Sequence, residues 1–362
     1  MEFSIDKTAF SETLSLIVSV IPERSIRTVL QNLFLKGNAD NTLTMRGTDL
    51  DIGLKITLDA RNLREPGEIL LPAMELNSRV KNSRGDELFF TIAEQRAEIR
   101  TNGGNRYTIN GMGTDDYPIM PDVHEGGYIG MHGDELADAV QKTIFATAKG
   151  DTSYALNGVY VSFDGDSAEF VASDTSRLSR VKKDIKNSGA KGTGIIIPKG
   201  MNILAHLASG LDMVELALTE KALMAKTPNA AVVVQLVEGV FPRYRDVIPA
   251  KSDCYFTVKR EELLDILQSV APFSTDSRTV LFELHGESLF LSSKTGDGSE
   301  AHGGLAVEPH GPDIALGFNY NYIMDGLKHI GDETVSIQYK DANSPARIDS
   351  CGFLYILMPI QR

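Results

Sequence analysis

The chain has 362 residues, is 42% hydrophobic and 23% charged, and carries a formal net charge of −13. That length exceeds one ordinary core and calls for two or three domains of roughly 100–200 residues each. No run of about 18 apolar residues offers a spanning helix, and MEFSIDKTAF has neither the basic nor the apolar region of a secretory signal, so a cytoplasmic location is expected. The negative charge excludes capture of nucleic acid by the surface as a whole, but not by a fold that confines its basic residues to one face. Cys254 and Cys351 lie far apart without a CxxC spacing and read as idle thiols rather than a disulfide.

Taken in order, the chain opens with a short alternating strand that runs into an amphipathic helix, and it does so three times. In 3–21, Phe3 and Ile5 alternate before Phe10, Leu14, Ile17 and Val18 share one helical face. In 128–148 the same roles fall to Ile129 and Met131, then Leu136, Val140 and Ile144. In 255–273 they fall to Phe256 and Val258, then Leu263, Leu264, Leu267 and Val270. Phe10, Leu136 and Leu263 are separated by 126 and 127 residues, and so constant an offset indicates triplication. Behind each helix come beta-rich runs around turns at Gly37–Asn41, Asp164–Ser167 and His285–Ser288.

A second strand–helix pattern follows in each copy: EILLPAMELNSRVKNS (68–83), GIIIPKGMNILAHLAS (194–209) and DIALGFNYNYIMDGLKHI (313–330). Pro72 and Pro198 suit a first helical turn, and Gly317 stands in their place in the third copy. Met201, Leu204, Leu207 and Ala208 form the expected buried face of the middle helix. More strand patterns close each copy. Each unit therefore reads as α+β, two helices packed on antiparallel sheet. The aromatic, Pro-rich connectors DDYPIMPDV (115–123) and FPRYRDVIPA (241–250) set the expected domains at 1–123, 124–250 and 251–362.

Residues for chemistry are few. The histidines at 124, 132, 206, 285, 302, 310 and 329 show no metal-ligand spacing. Asp115–Asp116 reads as a solvated turn and NGGN (102–105) as a hairpin rather than a phosphate cradle. No Gly-x-Ser-x-Gly elbow occurs. Thr48–Asp49 and Ser173–Asp174 hold corresponding places in two copies, which favours a turn or cap over catalysis. No catalytic group, metal or cofactor is expected. The helix windows 6–19, 72–84, 132–149, 198–210, 259–270 and 319–330 hold ten basic residues (Lys7, Arg79, Lys81, Arg84, Lys142, Lys149, Lys199, Lys259, Arg260 and Lys328) and ten acidic ones. All the net negative charge then lies outside the helices. Such a face would touch phosphates weakly and without sequence preference, although ordinary solvated helix surfaces fit the charge equally well.

Seven strings now fall in order: LTMRGTDLDIGL (43–54), EPGEILLPA (65–73), YALNG (154–158), VASDTSRL (171–178), GVFPRYRDVIP (239–249), GFNYNYIMDGL (317–327) and MPIQR (358–362). With the triplication, they resemble the bacterial DNA polymerase III beta subunits, the replicative sliding clamps, over essentially the full length. The resemblance implies three clamp domains per subunit and a closed ring formed by a head-to-tail dimer. It also implies a non-enzymatic processivity factor that encircles double-stranded DNA. Its implied partners are the DNA polymerase III alpha subunit, clamp-loader subunits and other clamp-motif proteins, bound through a hydrophobic peptide cleft.

Carried over by motif, that cleft would use Leu156, Ser173, Thr175, Ser176, Arg177, Leu178, Pro242, Val247, Asn319, Tyr322, Pro345, Ile356, Met358, Pro359 and Ile360. The DNA-facing residues would be Arg24, Arg79, Lys81, Arg84, Lys142, Lys149, Lys199, Lys259 and Lys328, and the dimer interface would hold Tyr107 and Phe273. Ser176, Asp246, Pro272 and the Ile360–Gln361–Arg362 ending depart from the family's usual residues, which bears on partner preference and on the interface. The alternative readings are a clamp-like repeat scaffold that binds proteins without DNA, and an enzyme built on Asp174 and Arg177, which would lack a nucleophile–base pair.

Overall fold

The computed structural model describes residues 1–120, 128–150, 154–185, 191–273 and 278–360. The expected boundary near 123, His124 and the terminal Gln361–Arg362 fall outside the described residues.

The first copy runs β1 (Glu2–Asp6), α1 (Lys7–Val20), β2 (Asn32–Gly37), β3 (Thr42–Thr48), β4 (Ile52–Asp59), β5 (Arg61–Arg64), β6 (Gly67–Pro72), α2 (Ala73–Lys81), β7 (Glu87–Ala93), β8 (Arg96–Thr101) and β9 (Arg106–Asn110). The second runs β10 (Ile129–Met131), α3 (Gly133–Ile144), β11 (Val159–Asp164), β12 (Ser167–Ser173), β13 (Arg177–Asp184), β14 (Gly192–Ile196), α4 (Pro198–Ala208), β15 (Val214–Leu218), β16 (Ala222–Lys226) and β17 (Ala230–Gln235). The third runs β18 (Tyr255–Lys259), α5 (Arg260–Val270), β19 (Thr279–His285), β20 (Ser288–Lys294), β21 (Glu300–Ala306), β22 (Glu308–His310), β23 (Ile314–Asn319), α6 (Tyr320–Lys328), β24 (Thr334–Gln338), β25 (Ala346–Ser350) and β26 (Phe353–Leu357). Six helices thus stand where periodicity places them, and the turns predicted at Gly37–Asn41, Asp164–Ser167, His285–Ser288 and 102–105 link adjacent strands.

Local chemistry explains the helix starts. Asp6 accepts the Ala9 N–H at 2.8 Å at the start of α1, satisfying a donor the helix itself leaves orphaned. In the third copy the position of Pro72 belongs to Asn319, whose side chain caps the Asn321 N–H at 3.0 Å. Gly317 lies two residues earlier, inside β23, so the match of Gly317 with Pro72 is out of register. The buried faces shift slightly from the expected ones. Val18, Ile144, Leu207 and Leu264 are half-buried, while Val20 and Ile203 join the core. The helices proper hold seven basic and nine acidic residues. Arg84 and Lys149 lie beyond helix ends, and Lys259 and Asp6 are caps, so the expected ten-to-ten balance becomes a small acidic excess.

Two compact units result. One is drawn from residues up to Asp134 and from Asn202–Leu236, the other from Glu135–Ile185, Lys191–Met201 and the chain from Val237 onward. The first holds a five-stranded sheet, β5-β1-β7-β8-β9, and an eight-stranded sheet, β10-β15-β16-β17-β4-β3-β2-β6. The second holds a nine-stranded sheet, β14-β11-β12-β13-β26-β25-β24-β18-β22, and a four-stranded one, β21-β20-β19-β23. Each large sheet joins two copies edge to edge: β17 pairs with β4, with Val233 opposite Gly53, and β26 pairs with β13, with Ile356 opposite Leu178. Fully buried aromatics such as Phe10, Phe90, Phe256, Phe282, Phe318 and Tyr355 fill the cores, each contributing about 1.5–3 kcal/mol by leaving water.

Candidate functional site

The seam between β13 and β26, all within the second unit, gathers most of the expected cleft residues. It starts from a local turn. Ser173 Oγ donates to the Arg177 carbonyl at 2.8 Å and accepts the Thr175 N–H, while Asp174 Oδ1 accepts the N–H groups of Ser176 and Arg177. Thr48 and Asp49 make the same bonds to Ile52 and Leu50. The third residue of each turn, Leu50 or Thr175, has positive φ, 83° and 75°. The repeated dipeptide is therefore a turn device, as short hydroxyl and carboxylate side chains favour.

That turn presents Arg177, whose side chain is 7% exposed. Its Nε donates to Asp174 at 3.0 Å, Nη1 to Asp325 at 2.7 Å and Nη2 to the Phe145 carbonyl at 2.7 Å. The guanidinium also lies 4.3 Å from the Tyr322 ring centroid. Burial opposes its charge, but Tyr355, Asp325 and Asp174 around it more than offset this and hold it protonated. With every nitrogen engaged, the planar fork of Arg177 ties α6 to the turn before β13. Phe145, Asp325, His329 and Tyr355 complete this cluster. Phe145 stacks on His329 at 4.4 Å, and the Tyr355 hydroxyl donates to the Tyr322 carbonyl. None of these four was among the expected site residues, because nothing local in sequence links them to Arg177.

Below the turn, Leu156, Leu178 and Ile356 belong to one buried cluster with Val171, Phe241 and Tyr244. They form a floor. Of the large apolar residues expected in the cleft, Val247, Met358 and Ile360 are exposed, at 56%, 41% and 37%. The Met358 N–H donates to the Ser176 carbonyl and the Ile360 N–H to the Gly317 carbonyl. The last described residues, beyond the end of β26, are thus tied to Ser176 and Gly317. A Cβ at Gly317 would sit 3.1 Å from the Ile360 carbonyl, which explains the glycine. Asn319 is committed to its helix cap, Thr175 and Pro242 are exposed, and Pro345 and Pro359 are half-buried.

The connector is anchored beside this floor. The Tyr244 hydroxyl donates to Glu169 Oε2 at 2.6 Å, Arg245 reaches the same oxygen at 3.0 Å, and Arg180 Nε reaches Oε1 at 2.9 Å. Burial would raise the Glu169 carboxyl, but Tyr244, Arg245 and Arg180 together hold it below the usual range. Burial, with Glu169 beside it, pushes the Tyr244 hydroxyl up to about 12.

The expected DNA-facing residues differ in availability. Arg24, Lys81, Arg84, Lys149, Lys199 and Lys328 are exposed. Arg79 is exposed but lies 3.5 Å from Glu75, and Lys259 bonds Glu262 at 2.7 Å. Lys142 is half-buried and bonds Asp138, which also holds Lys183, both at 2.8 Å. Among the described residues no group of His, Cys, Asp or Glu is placed to hold a metal, and Cys254 and Cys351 are free thiols. No helix there is long and apolar enough to cross a membrane.

Tyr107, half-buried, lies on β9, and Phe273, 37% exposed, lies in the turn after α5. Strands β9 and β21 each end a sheet. Their counterparts do not. Backbone bonds Gly111 to Gln95 and Leu236 to Lys221 align β9 with β17, and the brackets at Asp49–Ile52, Asp174–Arg177 and Thr295–Ser299 align β4, β13 and β21.

Comparison with known proteins agrees with this architecture. Family models of the DNA polymerase III beta subunit match in sequence: the N-terminal domain over residues 1–121, the central domain over 130–243 and the C-terminal domain over 245–360. The chain is 28% identical to the beta sliding clamp of Pseudomonas aeruginosa over 367 residues, covering 100% of both. It is 25% identical to that of Chlamydia muridarum over 366 residues, covering 100% of this chain and 99% of the other. Among solved structures it is similar to the P. aeruginosa DNA polymerase III subunit beta, with a TM-score of 0.92 at 27% identity and full coverage of both chains. The Bacillus subtilis DNA polymerase sliding clamp shares the fold, with a TM-score of 0.93 at 20% identity over 100% of this chain and 99% of the other.

Proposed function

The chain belongs to the DNA polymerase III beta subunit family, and on that premise we propose a non-catalytic sliding clamp that closes around duplex DNA as a head-to-tail homodimer and keeps the replicative polymerase on its template. Its proposed domains are 1–123, 124–250 and 251–362. The observation that carries ring closure is the pair of unmatched sheet edges. Three copies give two joints inside the chain, β4–β17 and β13–β26, and leave one edge of each kind, β21 and β9, without a strand among the described residues. A second chain supplies the missing partner at each end. The contact is heterologous, and two chains close it. Extending the register of the internal joints sets Thr108 of one subunit opposite Glu300 of the other, with Tyr107 and Phe273 close to the seam. Bare edges of this length otherwise invite uncontrolled pairing.

DNA would be held by topology, so weak contacts from Arg24, Arg79, Lys81, Arg84, Lys149, Lys199, Lys259 and Lys328 suffice, with Lys142 contributing least. Tight phosphate binding would hinder sliding. The polymerase alpha subunit, clamp-loader subunits and other partners would dock short peptides on Val247, Met358 and Ile360 above the floor of Leu156, Leu178 and Ile356. Here Arg177 and Asn319 position the walls rather than meet the peptide. A cytoplasmic location follows from this role in replication. A scaffold without DNA is not favoured. Light scattering on the native protein should give about twice the 39.5 kDa chain mass; a stable monomer at micromolar concentration would contradict ring closure.

A further inference from the structure

A second groove, of 650 Å³, lies in the first unit between the face of the eight-stranded sheet and residues 114–120. Its floor is a row of directly opposed residues, which share one face of a sheet: Lys226 opposite Ala231, Ala231 opposite Lys55, Lys55 opposite Arg46, and Arg46 opposite Phe34. At ~4.8 Å between strands, three cations fall within about 15 Å. Among the described residues none of the three makes an ion pair. The Arg46 guanidinium lies over Phe34, its Cζ 3.6 Å from the ring centroid, and its Nε is buried without a hydrogen-bond partner. Of the lining carboxylates, Glu68 is engaged by Lys36 and the Thr114 hydroxyl, and it also acts on the Arg46 charge without forming an ion pair with it. The exposed Asp115 is the other.

The repeat shows what the groove lacks. The register that aligns Thr48–Asp49 with Ser173–Asp174 sets Lys55 at the place of Arg180, Thr44 at that of Glu169 and Lys226 at that of Asp349. In the second unit Glu169 satisfies Arg180, Arg245 and Tyr244, and Asp349 satisfies Arg347 at 2.7 Å. The groove beside them there measures 310 Å³. The first unit keeps the cation at the Arg180 position, replaces one carboxylate by a threonine and the other by a lysine, and leaves a larger space.

We propose that this groove is a second docking surface, separate from the apolar cleft, that takes an acidic peptide segment of a partner protein. The carboxylates of that segment would supply the negative charge that Glu169 and Asp349 supply in the second unit. The Arg46 fork, held on aromatic rings, suits a carboxylate. A peptide needs only this local patch, whereas the continuous charge of a polynucleotide would also meet the field of a chain carrying −13.

The test uses the full-length native protein and fluorescein-labelled hexaglutamate, read by anisotropy at low salt. The native chain should bind it. The double variant Lys55→Glu with Lys226→Glu should weaken binding at least tenfold. So should Thr44→Glu, which restores the internal carboxylate, while both variants keep the native mass. Equal binding to all three proteins, or no binding to the native chain, overturns the proposal. So does displacement of the probe by a hexathymidylate oligonucleotide at lower concentration than by unlabelled hexaglutamate, which would make the groove a nucleic-acid site.

Discussion

Thr108→Pro should convert the proposed dimer to a folded monomer. The Thr101 N–H bonds the Asn105 carbonyl and the Gly111 N–H bonds the Gln95 carbonyl, so residues 105, 107, 109 and 111 turn their polar groups toward β8. In an antiparallel ladder the alternate residues, Arg106, Thr108 and Asn110, then point theirs outward. Proline at 108 removes an outward donor and sets its ring against the incoming strand, while every bond between β8 and β9 survives. The side chain there is exposed, so the core of the unit is untouched. A loss of about 3 kcal/mol weakens association roughly a hundredfold. Scattering mass should fall to that of one chain at micromolar concentration, with the unfolding midpoint of the chain little changed. A variant that stays dimeric would mean that β9 is not the closing edge.

Arg177→Ala should produce the largest stability loss of any single site substitution in the second unit. It leaves Asp174 facing an emptied, largely dry space and frees the Phe145 carbonyl, and removing one partner of a buried pair costs about 3–5 kcal/mol. Asp325 is 38% exposed, which lets water recover part of its share and points to the lower end of that range. Arg177→Lys should recover little, because an ammonium cannot serve Asp174, Asp325 and Phe145 in three directions at once. Urea unfolding measures both. A loss below ~1 kcal/mol would show that the network orients α6 without stabilising it.

Whatever is local could be read in the sequence. The six helices and the turn at Ser173–Asp174 rest on spacings of a few residues, the triplication rests on one such pattern recurring at a constant offset, and all are present. Periodicity does not resolve which side of a face boundary a helix residue takes, as at Val18 and Leu207, nor does it separate a strand residue such as Gly317 from a helix start. What could not be read is which strand lies beside which. A period of two tells an inward residue from an outward one but does not name the neighbour, so neither the β4–β17 nor the β13–β26 joint had a visible signature. The same distance hid the partners of Arg177: Asp325 lies 148 residues away and the Phe145 carbonyl 32. Family resemblance placed Arg177 at the cleft, but only the geometry makes it a wall tie.

On the proposed function, this chain holds DNA by enclosing it. The direct measurement loads the native protein onto a nicked circular duplex, washes it, and then cuts the circle once with a restriction enzyme. Enclosure predicts retention on the circle and loss from the linear product. Equal retention on both would mean that the protein binds DNA by affinity rather than by enclosure.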